Sequence, residues 1–204
     1  VFALCDMPCD ALEERIFVDG EKSIIEFTSP QKMDNGHGMG YPVRARRKGG
    51  DDFMWVKFYD GTQTTADGHL RDKYGNHPEH PWTANHIGRG RAYVIVTTKY
   101  NKKKPENAPQ CVFRVRGIKL DNPKQDSTNG GVGTQRYSDQ STHVWNDNAA
   151  VIAYHIARGI YYGTEWMYGG RGWPAYCLDN DSFTASINAA NEDVANKGGG
   201  TRKR

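Results

Sequence analysis

Four histidines, His69, His77, His80 and His86, crowd into one stretch of the chain, and neutral imidazole is the commonest protein ligand for a transition metal. The spacing argues against a site. His77-Pro-Glu-His80 carries a proline between its imidazoles, so the two rings cannot share a helical face as in an HExxH motif, and no cysteine pair follows to complete a ligand set. Solvated loop histidines are expected in a segment so rich in turn formers. Cys5-Asp-Met-Pro-Cys9 is a lone CxxxC, and Cys111 and Cys177 are isolated, which predicts small buried thiols. Asp60 and Asp67 flank a loop, and a carboxylate pair is what glycoside hydrolysis requires. A chain with 24 acidic residues produces such pairs by chance. Neither a G-x-S-x-G elbow nor a G-x-x-x-x-G-K-[ST] phosphate loop is present. No catalytic residue, no metal and no cofactor is therefore expected.

The basic groups carry more information. Arg44-Ala-Arg-Arg-Lys48, the run Lys102, Lys103, Lys104, and the closing Arg202-Lys-Arg204 form three clusters, each able to raise local positive potential. Solvated loop tips are the plain reading. The functional one makes Arg44, Arg46, Arg47, Lys48, Lys102, Lys103 and Lys104 candidate contacts to DNA phosphate or to an acidic neighbouring subunit. A net charge of +3 is too small to imply nucleic acid by itself.

The elements that must position these groups follow from pattern. Residues 14–19 and 23–27 read as two strands around the turn Asp19-Gly20-Glu21-Lys22. Residues 28–52 shift to Gly, Pro, Asn and Arg, including Asn35-Gly-His-Gly-Met-Gly40, and read as an exposed loop or arm. Phe53-Met-Trp-Val-Lys-Phe-Tyr59 is aromatic and β-branched on both parities, a strand covered on both faces, with residues 92–100 as its partner. Residues 61–90 are an inserted loop with one short helical turn near residues 66–72. Residues 111–117 make a third strand of that sheet, with Arg114 and Arg116 opposite Phe113 and Val115. Two helices stand out near the C-terminus. One places Ala149, Ile152, Ala153, Ile156, Ala157 and Ile160 on a face after Asn146-Asp147-Asn148 and ends at Gly163. The other runs over residues 183–195, capped by Asp181 or Ser182, with Phe183, Ile187, Ala190 and Val194 on a face.

Glycine at 23 and proline at 9, against five leucines, exclude a helical bundle or α-solenoid. The fold class expected is α+β, β-rich with long loops and two C-terminal helices: residues 1–60 with 91–120 as a β core, 61–90 inserted and 140–197 helical. The longest apolar stretch is far shorter than the roughly 20 residues of a membrane span. The opening Val-Phe-Ala-Leu-Cys has neither an initiator methionine nor signal-peptide features, so a piece of a longer protein is expected.

Laid out in order, the segments resemble the central tail hub proteins of long-tailed phages, the tip attachment protein J family of lambda-like tails, and the related hubs of gene transfer agents. Residues 1–20 are similar to the family's entry into a hub domain. Tyr59-Asp-Gly-Thr-Gln63, Trp82-Thr-Ala-Asn-His-Ile-Gly-Arg-Gly-Arg-Ala-Tyr-Val94, Val112-Phe-Arg-Val-Arg-Gly117 and Asp121-Asn-Pro123 resemble successive family landmarks. Trp145-Asn-Asp-Asn-Ala-Ala-Val151 resembles the family's strand, Asn-Pro-Ala, helix step with Ala149 in place of proline, and Ile187-Asn-Ala-Ala-Asn191 its last helix. The resemblance implies a noncatalytic homotrimeric subunit of the virion tail tip, synthesised in the host cytoplasm. It would touch the distal tail or tube, tape-measure and tip proteins and pass DNA during ejection. Two rivals stand beside it: a tail-associated glycan hydrolase using Asp60, Asp67 and the histidine loop, and a carbohydrate-binding β-module using Trp82, Trp166 and Trp173.

Overall fold

A computed structural model describes residues 1–28, 30–32, 37–99, 108–195 and 198–203. The fold is α+β, and the chain divides into two compact units, Val1–Ile118 and Lys119–Arg204. The N-terminal unit runs β1 (Phe2–Cys5), β2 (Ala11–Val18), β3 (Glu21–Ile24), β4 (Gln31–Lys32), β5 (Gly38–Pro42), β6 (Arg47–Lys48), β7 (Asp51–Asp52), β8 (Met54–Tyr59), α1 (Gly68–Tyr74), β9 (Ala92–Thr98) and β10 (Cys111–Arg116).

The hairpin between β2 and β3 closes on the pair Val18↔Glu21. Asp19 and Gly20 both have positive φ, 52° and 83°, the two-residue geometry whose twist matches that of the strands. Glu21 and Lys22, expected in the turn, therefore belong to the strand.

Strands β8 and β9 pair from Met54↔Thr98 to Tyr59↔Tyr93, at the heart of a sheet ordered β1-β9-β8-β5-β4. Side chains alternate across the pleat, and both faces are covered, as the aromatic and β-branched composition predicts. Met54, Val56 and Val94 join Leu12, Ile16, Val18, Ile25 and Val43 in the main core. Tyr93 and Ile95 pack on the other face with Leu70 of α1, flanked by Tyr59 and Trp82.

Two expectations for this unit are corrected. Strand β10 does not join β8 and β9 but pairs with β2, in a separate sheet ordered β10-β2-β3. Both long edges of the β8–β9 pair are already taken, by β5 and β1. Strand β10 itself alternates, with Arg114 and Arg116 exposed and Phe113 and Val115 half-buried, which suits a sheet with one wet face. The second correction concerns residues 28–52, which are not simply an exposed arm: β5 lies inside the main sheet. Gly40 makes this possible. Its φ is +105°, and a Cβ there would lie 2.2 Å from the Val56 carbonyl oxygen, so only glycine permits the approach.

The C-terminal unit contains β11 (Lys119–Leu120), β12 (Val144–Trp145), α2 (Ala149–Arg158), β13 (Ile160–Tyr162), β14 (Glu165–Tyr168), α3 (Asn180–Ala190), β15 (Asp193–Ala195) and β16 (Thr201–Lys203). Its strands form two-stranded ladders. Helix α2 stops at Arg158 rather than near Gly163, because Gly159 takes a φ of +107° with a would-be Cβ 2.0 Å from the Gly170 carbonyl oxygen. Residues beyond it turn back as the β13–β14 hairpin.

The buried face of α2 also differs from the expectation. Val151, Tyr154, His155 and Arg158 are buried, whereas Ile152 and Ile156 are 38% and 43% exposed. The aliphatic stripe thus faces outward. Helix α3 starts three residues before the expected 183, because the Asp179 carboxylate accepts from the backbone N–H of Asp181 and Ser182 at 3.2 Å each. It ends at Ala190, and Val194 lies in a strand opposite Arg202. Among the described residues no helix is long and apolar enough to cross a membrane.

Candidate functional site

Asp67 anchors α1 to the sheet. Its Oδ1 accepts from the Leu70 backbone N–H at 2.7 Å, capping the helix. Its Oδ2 accepts from Lys57 Nζ at 2.6 Å and Tyr59 Oη at 2.7 Å. Lys57 and Tyr59 are two apart on β8, so one carboxylate ties two adjacent outward positions of that face to the helix start. Burial by itself pushes the Asp67 carboxyl up, but the Lys57 ammonium, the Leu70 N–H and the Tyr59 hydroxyl outweigh it and hold it below the usual carboxylate range. Burial, then the Asp67 partner, raise the Tyr59 phenol.

With α1 held there, a groove of about 1100 Å³ opens over β8 and β9. Its floor includes Trp55, Ile95 and Thr97, and α1 and the turn after it supply His69, Tyr74 and Trp82. The β6–β7 hairpin contributes Asp51 and Asp52. Three ring nitrogens of these lining residues are buried and have no hydrogen-bond partner among the described residues: Trp55 Nε1, His69 Nδ1 and Trp82 Nε1. Each such group costs about 1–3 kcal/mol relative to a satisfied one. Trp55 is 7% and His69 5% exposed, and burial is the main reason the His69 imidazole is harder to protonate than usual.

The residues singled out from sequence fall as follows. Arg44 Nε donates to Glu26 Oε1 at 3.0 Å, Arg46 donates to Asp19, and Arg47 reaches both Glu26 Oε2 at 2.8 Å and Asp52 Oδ1 at 2.7 Å. Lys48 lies opposite Asp51 in the β6–β7 ladder. Three of the four basic groups in this cluster are thus matched to carboxylates of the same unit. Lys102, Lys103, Lys104 and Arg204 lie outside the described residues.

Asp60 organises a turn, its Oδ1 accepting from Thr62 N–H at 2.8 Å and Thr62 Oγ1 at 2.7 Å. Asp67, saturated with donors and depressed in pKa, is the opposite of the raised carboxyl that a general acid needs. His77 Nδ1 accepts from the His80 N–H at 3.0 Å, and His86 Nδ1 from the Thr83 N–H at 3.0 Å; these rings close turns. Cys9 is buried, and burial with the nearby Cys5 thiol pushes its own thiol up to about 12, far from a nucleophilic thiolate.

Of the three tryptophans weighed together, Trp82 lines this groove, whereas Trp166 and Trp173 belong to the C-terminal unit. Trp166 Nε1 donates to the Gly169 and Gly170 carbonyls at 3.2 and 3.0 Å. Trp55, Lys73 and Tyr74 carried no signal in the sequence. A tryptophan inside a doubly covered strand reads as core, and nothing local announces that its indole N–H lacks an acceptor.

The C-terminal unit has a polar centre of its own. Asp121 is 1% exposed, with Oδ1 3.0 Å from His155 Nε2 and 3.7 Å from His143 Nε2. His155 Nε2 also lies 2.8 Å from the Asp121 carbonyl oxygen and His143 Nε2 3.1 Å from that of Arg136. Carbonyl oxygens only accept, so both nitrogens carry protons and are not lone pairs for a metal. Among the described residues no group of three or more His, Cys, Asp and Glu side chains is arranged to hold a metal ion.

Comparison with known proteins returns no match: no family model, no curated protein and no solved structure is significantly similar to this chain.

Proposed function

We propose that this chain is a noncatalytic structural subunit of the tail tip of a phage or phage-like particle. In this reading it is a homotrimeric hub that joins the tail tube to the tip and passes DNA during ejection. The observation that carries it is where the family-like landmarks fall. Asp19-Gly20 is the tight turn of the first hairpin, Tyr59-Asp60-Gly61 ends β8 in an aspartate turn, and Ala92-Tyr-Val94 opens β9. The side chain of Asn122 caps the turn Pro123–Gln125, and that of Asn148 caps α2. Each of these residues has a defined conformational task at its position, so their order along the chain supports the resemblance. Ala149 in place of the family's proline is accommodated because Asn148 already sets the helix start.

Exposed apolar side chains give a second line of support. Ile152 and Ile156, one turn apart on α2, are both exposed, and an apolar stripe on one helix face suits burial against a neighbouring subunit. The Arg44–Lys48 segment, largely matched to Glu26, Asp19 and Asp52, serves shape. DNA contact in this reading rests on Lys102, Lys103 and Lys104.

The test is to raise antibodies against the purified chain and label intact particles from the source culture with gold. Gold confined to one tail end, together with a trimeric mass by light scattering, is the expected result. Labelling of heads, of tail shafts or of no particle at all would refute the proposal.

A further inference from the structure

The geometry points to a second property, independent of the hub reading: the groove over β8 and β9 is a binding site for a neutral glycan segment. Trp55, His69 and Trp82 line it, each carries a covered ring nitrogen without a partner among the described residues, and oxygen-rich ligands supply the acceptors that indole N–H groups lack. Tyr74 stands exposed at the rim beside the half-buried Trp82. Aromatic faces with a polar handle suit the C–H faces of pyranose rings. Both indole N–H groups are covered in this structure, so donation to an occupant requires the indoles to turn towards it, and the indole signals below read that change.

Charge and topology select among occupants. Lys73, Lys99, Asp51 and Asp52 all line the groove, Asp52 with Arg47 as its partner; a lining of mixed sign suits a neutral occupant, and the oligonucleotide arm below tests the phosphate alternative. A peptide added as an extra strand needs an open sheet edge, but β8 and β9 are both paired on each side. A volume of about 1100 Å³ accommodates a short oligosaccharide more readily than one sugar.

The experiment uses the whole chain labelled with ¹⁵N. Its five tryptophans give five indole N–H signals, each assigned by a Trp→Phe variant. The chain is titrated to millimolar concentration with triacetylchitotriose, cellotriose, maltotriose and mannotriose, with a thymidine octanucleotide and a neutral hexapeptide as comparisons. Saturable shifts of the Trp55 and Trp82 signals with at least one trisaccharide are expected. Trp82→Phe should weaken that binding about tenfold, the worth of one buried hydrogen bond, while Trp166→Phe leaves it unchanged. Tyr74→Ser, at an exposed position, should also weaken it and does not depend on the core tolerating a change. The proposal is overturned if no trisaccharide moves these signals, if the shifts are confined to Trp145, Trp166 or Trp173, or if only the oligonucleotide or the peptide saturates. It is equally overturned if both Trp82→Phe and Tyr74→Ser bind as tightly as the parent.

Discussion

The two units of this chain satisfy their backbones by different means. In Val1–Ile118, strand ladders do the work over a β-branched core of Ile16, Val18, Ile25, Val43, Val56 and Val94. In Lys119–Arg204 the ladders are only two strands wide, and short polar side chains take over: Asn122, Asp126, Asp139, Asn148 and Asp179 each accept from backbone N–H groups at the start of a turn or helix. The centre of that unit is polar as well. The Arg158 guanidinium lies 3.6 Å from the Tyr137 ring centroid and donates to Tyr154 Oη and the Trp173 carbonyl at 3.1 Å each. Where the apolar supply is thin, caps and buried hydrogen bonds substitute for strand pairing and aliphatic packing.

The largest effect is expected in the N-terminal unit, at Asp67, a carboxylate only 1% exposed. Asp67→Ala leaves Lys57 and Tyr59 without their shared acceptor and removes the α1 cap, and should cost about 3–5 kcal/mol, read by urea unfolding. A loss no greater than that of a surface substitution would mean that the ladders alone hold α1 in place.

Acid should expose the same carboxylate. Because the folded pKa of Asp67 is depressed, its contribution is fully present above the unfolded value of about 4 and is lost as pH falls through the folded value. Asp126 is shifted in the same direction in the other unit, where the donors from Thr128, then Asn129 and Arg136, outweigh burial. Asp67→Asn should therefore flatten the acid dependence of amide exchange in β8 and leave that of α2 steep. Equal flattening in both would dissolve the contrast.

A smaller change is expected at Asn148. Its Oδ1 caps α2, while its Nδ2 donates to the Ile187 carbonyl at 3.1 Å and to Asn191 Oδ1 at 3.0 Å. Asn148→Ala should cost about 1–2 kcal/mol. Asn148→Asp, which keeps the acceptor and loses the donor, should recover part of it. If the aspartate variant is as weak as alanine, the link to α3 matters more than the cap.

The smallest change in stability belongs to the outward stripe of α2. Ile152→Lys with Ile156→Lys should alter unfolding by no more than about 0.5 kcal/mol per site; if the proposed trimer forms through this stripe, the same pair should lower the mass seen by light scattering to that of a monomer. An unchanged trimer would show that this stripe is not a subunit surface.

Much of the fold was legible in the chain. Asp19-Gly20 predicted its hairpin, the doubled pattern of residues 53–59 its two covered faces, and the run Asn146-Asp147-Asn148 its helix start, with Asn148 the cap in the structure, because each signal is carried by neighbouring residues. The groove was not legible. His69, Trp82 and His80 are flagged by residue type, but Trp55, in the groove's floor, reads as core until the position of α1 is known.

Local chemistry is thus what the sequence determined by itself: turn conformations set by φ at Asp19 and Gly20, caps set by side-chain oxygens, and strand character set by β-branching. Only the tertiary structure decided which strands meet and which helix face is buried. Strand β10 joins β2 because both edges of β8–β9 are occupied. Helix α2 turns Tyr154 and Arg158 inward, and Ile152 and Ile156 outward, because the guanidinium finds its acceptors and an aromatic face in the interior. Pairing and burial are settled by competition among distant segments, and no local pattern records the outcome of that competition.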